Sequence, residues 1–158
     1  MEYSIVRVEK ENYPLFDDMI FSRINNRERT LEEQAESRDY GANFTVLADK
    51  NLRVYAAKVG NRFVGWISAA FIPKVGHPKY GGKGHVFIDE LWTSPTFRRH
   101  GIAYALMTEV EHAAKEMNAV GLRLYVGGGN PVALALYTKC GYRDCGDDAH
   151  FMDKEWEY

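Results

Sequence analysis

The sequence predicts an α/β protein, a mixed sheet with helices on both faces, and three observations carry that prediction. Residues 53–59 and 62–72 are strand-forming runs joined by Gly60-Asn61, a two-residue turn that favours an antiparallel hairpin. From residue 85 onward the pattern becomes strand, helix, strand, helix, the order that lays parallel strands side by side through a helical crossover. The first of those helices, residues 101–118, puts Ile102, Leu106, Val110, Ala113 and Met117 on one face, with Glu111, His112 and Lys115 elsewhere. Such a stripe needs a sheet to cover it.

Taken in order, residues 3–8 alternate well enough for a first strand. Tyr13, Phe16, Met19, Ile20 and Ile24 follow at helical spacing, with Asn12 as cap, Pro14 tolerated in the first turn, and Asn25-Asn26 as the stop. Thr30 with Glu33 three residues on has the form of a capping box, so a second helix starts at Leu31. Residues 40–50 read either as a short strand or as a helical turn. Pro73 stops the second hairpin strand. Residues 74–84 hold Gly76, Pro78, Gly81, Gly82 and Gly84 around Tyr80. This is a hairpin connection or, on a sharper view, a lid over an acceptor pocket; Gly82-Lys83 lacks the hydroxyl residue of a phosphate loop.

Strand 85–93 turns at Ser94-Pro95 into the long helix, and strand 122–126 leads through Gly127-Gly128-Gly129 to the last one. There Asn130 is the cap, Pro131 the first helical position, and Gly141 the residue past the end. Residues 142–145 and 149–156 are expected as closing strands.

Composition narrows the function. A chain of 158 residues without repeat or linker is one domain, 1–158, large enough for a core of its own. Its 46% hydrophobic and 27% charged residues are those of a soluble globular protein. A net charge of -2 argues against general nucleic-acid binding, and no apolar run approaches the length of a membrane span. The first residues carry no signal core, and the only cysteines, Cys140 and Cys145, fit reduced thiols in the cytoplasm rather than a metal site.

Two corners carry the chemistry. At Arg98-Arg99-His100-Gly101-Ile102-Ala103 a helix begins with small residues, so its unpaired amides and positive dipole end can seat a phosphate. The second corner runs from strand 122–126 to Asn130 and the helix carrying Tyr137. If the two strands are parallel neighbours, both corners lie at the strands' C-terminal ends, where open α/β sheets bind ligands. Asp89 and Glu90 interrupt the apolar run Val86-Phe87-Ile88 in a central strand, and carboxylates are rarely buried there without a role or a partner. Adjacent strand residues face opposite ways, so only one aims at an acceptor unless a bulge intervenes. The alternative for either is pairing with a nearby arginine.

These residues resemble a known family. Arg98-x-x-Gly101-x-Ala103 is similar to the acyl-CoA pyrophosphate motif, Q/R-x-x-G-x-G/A, of the GNAT N-acetyltransferase superfamily. Leu91-Trp92-Thr93-Ser94-Pro95 resembles its strand lead-in, and Asn130-x-x-Ala133-x-x-x-Tyr137-x-x-x-Gly141-Tyr142 its second conserved block. The match covers about residues 86–144. It implies the GNAT acyl-CoA N-acyltransferase fold, a central mixed sheet flanked by helices, and transfer of an acetyl group from acetyl-CoA to a primary amine.

By that resemblance the amides of Arg99, His100, Gly101, Ile102, Ala103 and Tyr104 hold the diphosphate, with Arg98 opening the motif. Leu91, Trp92 and Thr93 lie along the pantetheine arm, Asn130 contacts it, and Tyr137 protonates the departing thiolate. Tyr137 as a packed core aromatic is the alternative. Some family members draw their general base from a glutamate twelve residues before this tyrosine; here that position is Tyr125, so that assignment does not transfer, and Asp89 or Glu90 is the candidate, as base directly or through water, or as an anchor for a cationic substrate. Acetyl-CoA is the implied co-substrate, without metal. The acceptor, a longer acyl donor, a homodimer, and a non-catalytic acyl-CoA binder of the same fold all stay open.

Overall fold

A computed structural model describes residues 1–146. Its sheet has five strands in sequential order: β1 (Ser4–Arg7), β2 (Leu52–Val59), β3 (Arg62–Pro73), β4 (Gly84–Thr93) and β5 (Gly121–Leu124). The first four are antiparallel neighbours, and β5 is parallel to β4. The helices are α1 (Tyr13–Asn25), α2 (Leu31–Ala35), α3 (Gly41–Leu47), α4 (Ile102–Glu116) and α5 (Pro131–Lys139).

The expected mixed sheet with helices on both faces is present, because each face has a core of its own. On one side Ile102, Leu106, Met107 and Val110 of α4 are fully buried against Val64 and Ile67 of β3. Each such side chain contributes roughly 2 kcal/mol by leaving water, which is why α4 anchors the fold and the short α2, with no buried residue, does not. On the other side Tyr13, Phe16 and Met19 of α1 pack on Val54, Phe63 and Trp66. The Phe16 and Trp66 rings meet edge-on at 5.2 Å.

The capping box at α2 forms as read: the Glu33 amide donates to Thr30 Oγ1 at 3.2 Å, and the Thr30 amide donates to Glu33 Oε2 at 2.8 Å. Hydrogen bonds from Arg27, then the Thr30 amide, hold the Glu33 carboxyl down at about 2. Its contribution is therefore present above the ordinary carboxylate range and lost as pH falls toward that value. Thr30→Ala is expected to cost about 1 kcal/mol of stability, read from the urea midpoint; an unchanged midpoint would show that the box forms without supporting the fold.

Two local expectations need correction, the Asn12 side-chain cap and the strand at 142–145. Asn12 does not cap α1 with its side chain; its Oδ1 accepts from the Glu9 amide and its Nδ2 donates to the Arg7 carbonyl, so it closes the β1–α1 turn instead. Of the two readings open for residues 40–50 the helical one is realised, as α3 over Gly41–Leu47, with Tyr40 and Phe44 edge-on to Tyr13 at 4.9 and 5.8 Å. Residues 142–145 form no strand: Gly141, at φ +84°, ends α5 and lets the Tyr142 amide donate back to the Tyr137 carbonyl. His85, near the start of β4, has an Nδ1 that is buried without a partner among the described residues, and burial, then Arg123 and Lys74, push the ring's pKa down. The expected strand at 149–156 lies outside the described residues. No helix among the described residues is long and apolar enough to cross a membrane.

Candidate active site

The first corner is built by a turn that leaves its amides unused. After β4, Pro95–Phe97 makes one turn of 3-10 helix, and the Arg98 amide donates to the Pro95 carbonyl. The next internal bond from this stretch is the Ala105 amide to the Gly101 carbonyl at 3.0 Å. Between them the amides of Arg99, His100, Gly101, Ile102, Ala103 and Tyr104 have no acceptor among the described residues. Arg99 at φ +65° and Gly101 at φ +82° turn the chain so that this run ends at the positive end of the 15-residue helix α4. The arrangement is a seat for an anion.

The side chains at this corner divide the work. Arg98 does not reach outward with its Nε, which donates to the Thr93 carbonyl at 3.2 Å and ties the turn to β4. A His100 ring nitrogen sits 2.8 Å from the Arg98 carbonyl. The Arg99 side chain makes no contact of this kind among the described residues and is exposed, so its charge is free for a ligand.

Beside the seat, the sheet opens. β4 and β5 pair from His85 with Gly121 to Ile88 with Leu124, and there they part. β4 continues through Leu91, Trp92 and Thr93, paired only with β3, while β5 gives way to the loop leading to α5. The backbone edge of β4 that faces the gap is therefore free to take another extended chain.

A bulge stands where the gap opens. Ile88 pairs with Ala69 and Glu90 with Ser68, so Asp89 is the extra residue. The reason lies in the core: Val86, Ile88 and Leu91 all pack on the α4 side, and the step from 88 to 91 is one residue longer than a regular strand allows. The extra residue inverts the alternation, so Glu90 and Trp92 face α1. Without it, Glu90 would point into the apolar core.

The two carboxylates thus differ. Both residues are exposed, but Arg23 Nη1 donates to Glu90 Oε2 at 2.8 Å, whereas Asp89 has no partner among the described residues. For Glu90 the pairing alternative is the one realised. Arg23, whose guanidinium also lies 5.7 Å from the centre of the Trp92 ring, was not singled out by the sequence. Nothing local marks it, because its partner lies 67 residues away.

At the second corner, Asn130 caps α5, accepting from the Ala133 amide at 3.1 Å, and this leaves its amide nitrogen unengaged. Tyr137 is half-buried against the α4-side core, 6.0 Å from the Tyr142 ring. Burial first, then Cys140, raises its pKa above the ordinary 10 and keeps the phenol protonated. Tyr125, by contrast, is exposed beside Phe87. Among the described residues no group of three or more His, Cys, Asp or Glu side chains is placed to hold a metal ion.

Residues 15–142 match the Acetyltransferase (GNAT) family. No curated protein matches the chain significantly. Among solved structures it is similar to the aminoglycoside acetyltransferase HMB0005 from an uncultured soil metagenomic sample, at 21% identity over 99% of this chain and 100% of that one, with a TM-score of 0.77. The aminoglycoside acetyltransferase meta-AAC0020, also from an uncultured soil sample and solved with sisomicin, is 18% identical over 98% and 97% of the two chains, with a TM-score of 0.76. AAC(6')-Iy, solved with the bisubstrate analogue CoA-S-monomethyl-acetylneamine, is 12% identical over 98% and 99%, with a TM-score of 0.74. At these identities it is the fold that is shared.

Proposed function

Because the chain belongs to the GNAT family of acetyltransferases, we propose that it transfers the acetyl group of acetyl-CoA to a primary amine of a small molecule or peptide. The observation that carries this reading is the run of unused amides at residues 99–104 beside the open edge of β4. A diphosphate carries enough acceptor oxygens for such a run, and an extended arm leaving it lies naturally along Leu91, Trp92 and Thr93 as an added strand. The Asn130 amide nitrogen can donate to a carbonyl of that arm.

The chemistry follows from where the free groups stand. A strand amide near the bulge polarises the thioester carbonyl. Asp89, which has no partner among the described residues, takes a proton from the acceptor ammonium, directly or through water. The free amine attacks the carbonyl carbon, a C–N bond forms, and the tetrahedral adduct expels the thiolate as the C–S bond breaks. Tyr137 gives that sulfur its proton, and the proton lost by the amine restores the phenol through solvent.

Calorimetric titration with CoA, together with thiol release over polyamines, aminoglycosides and peptide N-termini, tests the reading. Turnover on one of these is the expected result. Tight CoA binding without turnover on any amine would replace it with a non-catalytic acyl-CoA sensor. To assign the base, Asp89→Asn is expected to lower kcat roughly a hundredfold, with the deficit shrinking as pH rises toward the acceptor's own pKa. Glu90→Gln should retain most of kcat. If both variants turn over at the parental rate, an ordered water supplies the free amine instead.

A further inference from the structure

Arg23 places the chain's own cation on the opened strand. It sits in the last turn of α1, where a positive charge complements the helix dipole, and it reaches two residues of β4 that share a face. Its Nη1 donates to Glu90 Oε2 at 2.8 Å, and its guanidinium carbon lies 5.7 Å from the centre of the Trp92 ring. A carboxylate and an indole face are the two surfaces that best receive an ammonium ion. Just past the bulge both are already taken, while Asp89 beside them has no partner among the described residues.

The same neutralisation recurs along the first two helices and the turn between them. Asp17 and Asp18 are met by Arg29 and Arg38, Glu33 by Arg27, and Glu28 by Arg62. Those carboxylates already have cationic partners within the chain.

We infer that Arg23 is a specificity-determining residue: by occupying Glu90 and Trp92 it limits the acceptor to an amine that brings a single positive charge to the bulge. This rests on the acetyl-transfer reading for the location of the acceptor. An acceptor with a second ammonium group within reach of Glu90 must displace the guanidinium, leaving it as an unpaired like charge beside the incoming cation. A monoamine meets Asp89 and leaves the Arg23–Glu90 pair intact.

Binding of butylamine and of 1,4-diaminobutane to the CoA-bound protein, measured by calorimetry, gives an affinity ratio that does not depend on turnover. The unaltered chain is expected to bind the monoamine at least as tightly as the diamine. Arg23→Gln should shift the ratio toward the diamine by about fivefold, the upper range for an exposed charge pair. Arg23→Lys, which keeps the charge, should leave it unchanged, and the double variant Arg23→Gln, Glu90→Gln should return it to the original value. A ratio unmoved by Arg23→Gln, or a shift that survives removal of Glu90, overturns the inference, as does failure of both amines to bind every variant. Absence of acetyl transfer together with the expected binding ratios would overturn the catalytic reading and leave Arg23's role standing.

Discussion

Replacing Gly101 by aspartate is expected to cut acetyl-CoA affinity by roughly a hundredfold, corresponding to about 3 kcal/mol. Gly101 lies immediately before α4, between amides that have no acceptor among the described residues, at φ +82°. A carboxylate there is a chain-borne anion beside the place meant for a diphosphate, and it can turn onto the first amides of α4 itself. A side chain at this φ also carries strain, and its Cβ would stand 3.3 Å from the Tyr3 hydroxyl. Gly101→Ala separates the two effects, since it brings the strain without the charge. Calorimetric titration of both variants, with thermal melts to confirm folding, should find the aspartate variant weaker by at least tenfold than the alanine one. If aspartate binds acetyl-CoA as tightly as glycine, the anion seat at residues 99–104 is not where the diphosphate sits.

That seat was legible in the sequence because every feature it needs is local. A strand end, a proline turn, small residues and a long amphipathic helix follow one another without a break between Leu91 and Glu116, and each has its own signature. The capping box at Thr30 and Glu33, the hairpin at Gly60-Asn61 and the core stripe of α4 were readable for the same reason. The Asp89 bulge was also encoded, in the spacing of Val86, Ile88 and Leu91, but reading it requires knowing that all three belong to one core. Alternation alone leaves the register open.

What escaped was non-local. The Arg23–Glu90 pair joins the end of the first helix to the fourth strand, and no periodicity in either segment predicts the other. The choice left open at residues 40–50 goes to helix over Gly41–Leu47 because Tyr40 and Phe44 meet Tyr13 edge-on, a tertiary demand that local preference does not settle. The closing strand expected at 142–145 does not form, and Tyr142 is used as a packing partner of Tyr137. Only the fold shows which aromatic side chains serve the core and which stand at the cleft.

Tyr137 is the residue on which that distinction bears most. Tyr137→Phe is expected to lower kcat by roughly a hundredfold, the modest end of what a positioned proton donor supplies, because a thiolate is already a fair leaving group. The substitution deletes one oxygen and keeps the ring, so packing against Tyr142 and the α4-side core survives, and acetyl-CoA affinity should stay within about threefold of the original, a change worth less than 1 kcal/mol. The pH dependence carries the sign of the burial effect. Burial raises the phenol's pKa above 10, so the acid form is complete through neutrality and is lost only as pH rises past that value. The alkaline fall of kcat should therefore begin above pH 10 in the unaltered chain and be absent from the phenylalanine variant. A role confined to packing gives the opposite pattern, since phenylalanine fills the same space: kcat then stays at the parental value and both chains share one pH profile. A pre-steady-state measurement of thiol release in the two chains, across neutral and alkaline pH, decides between proton donor and core aromatic.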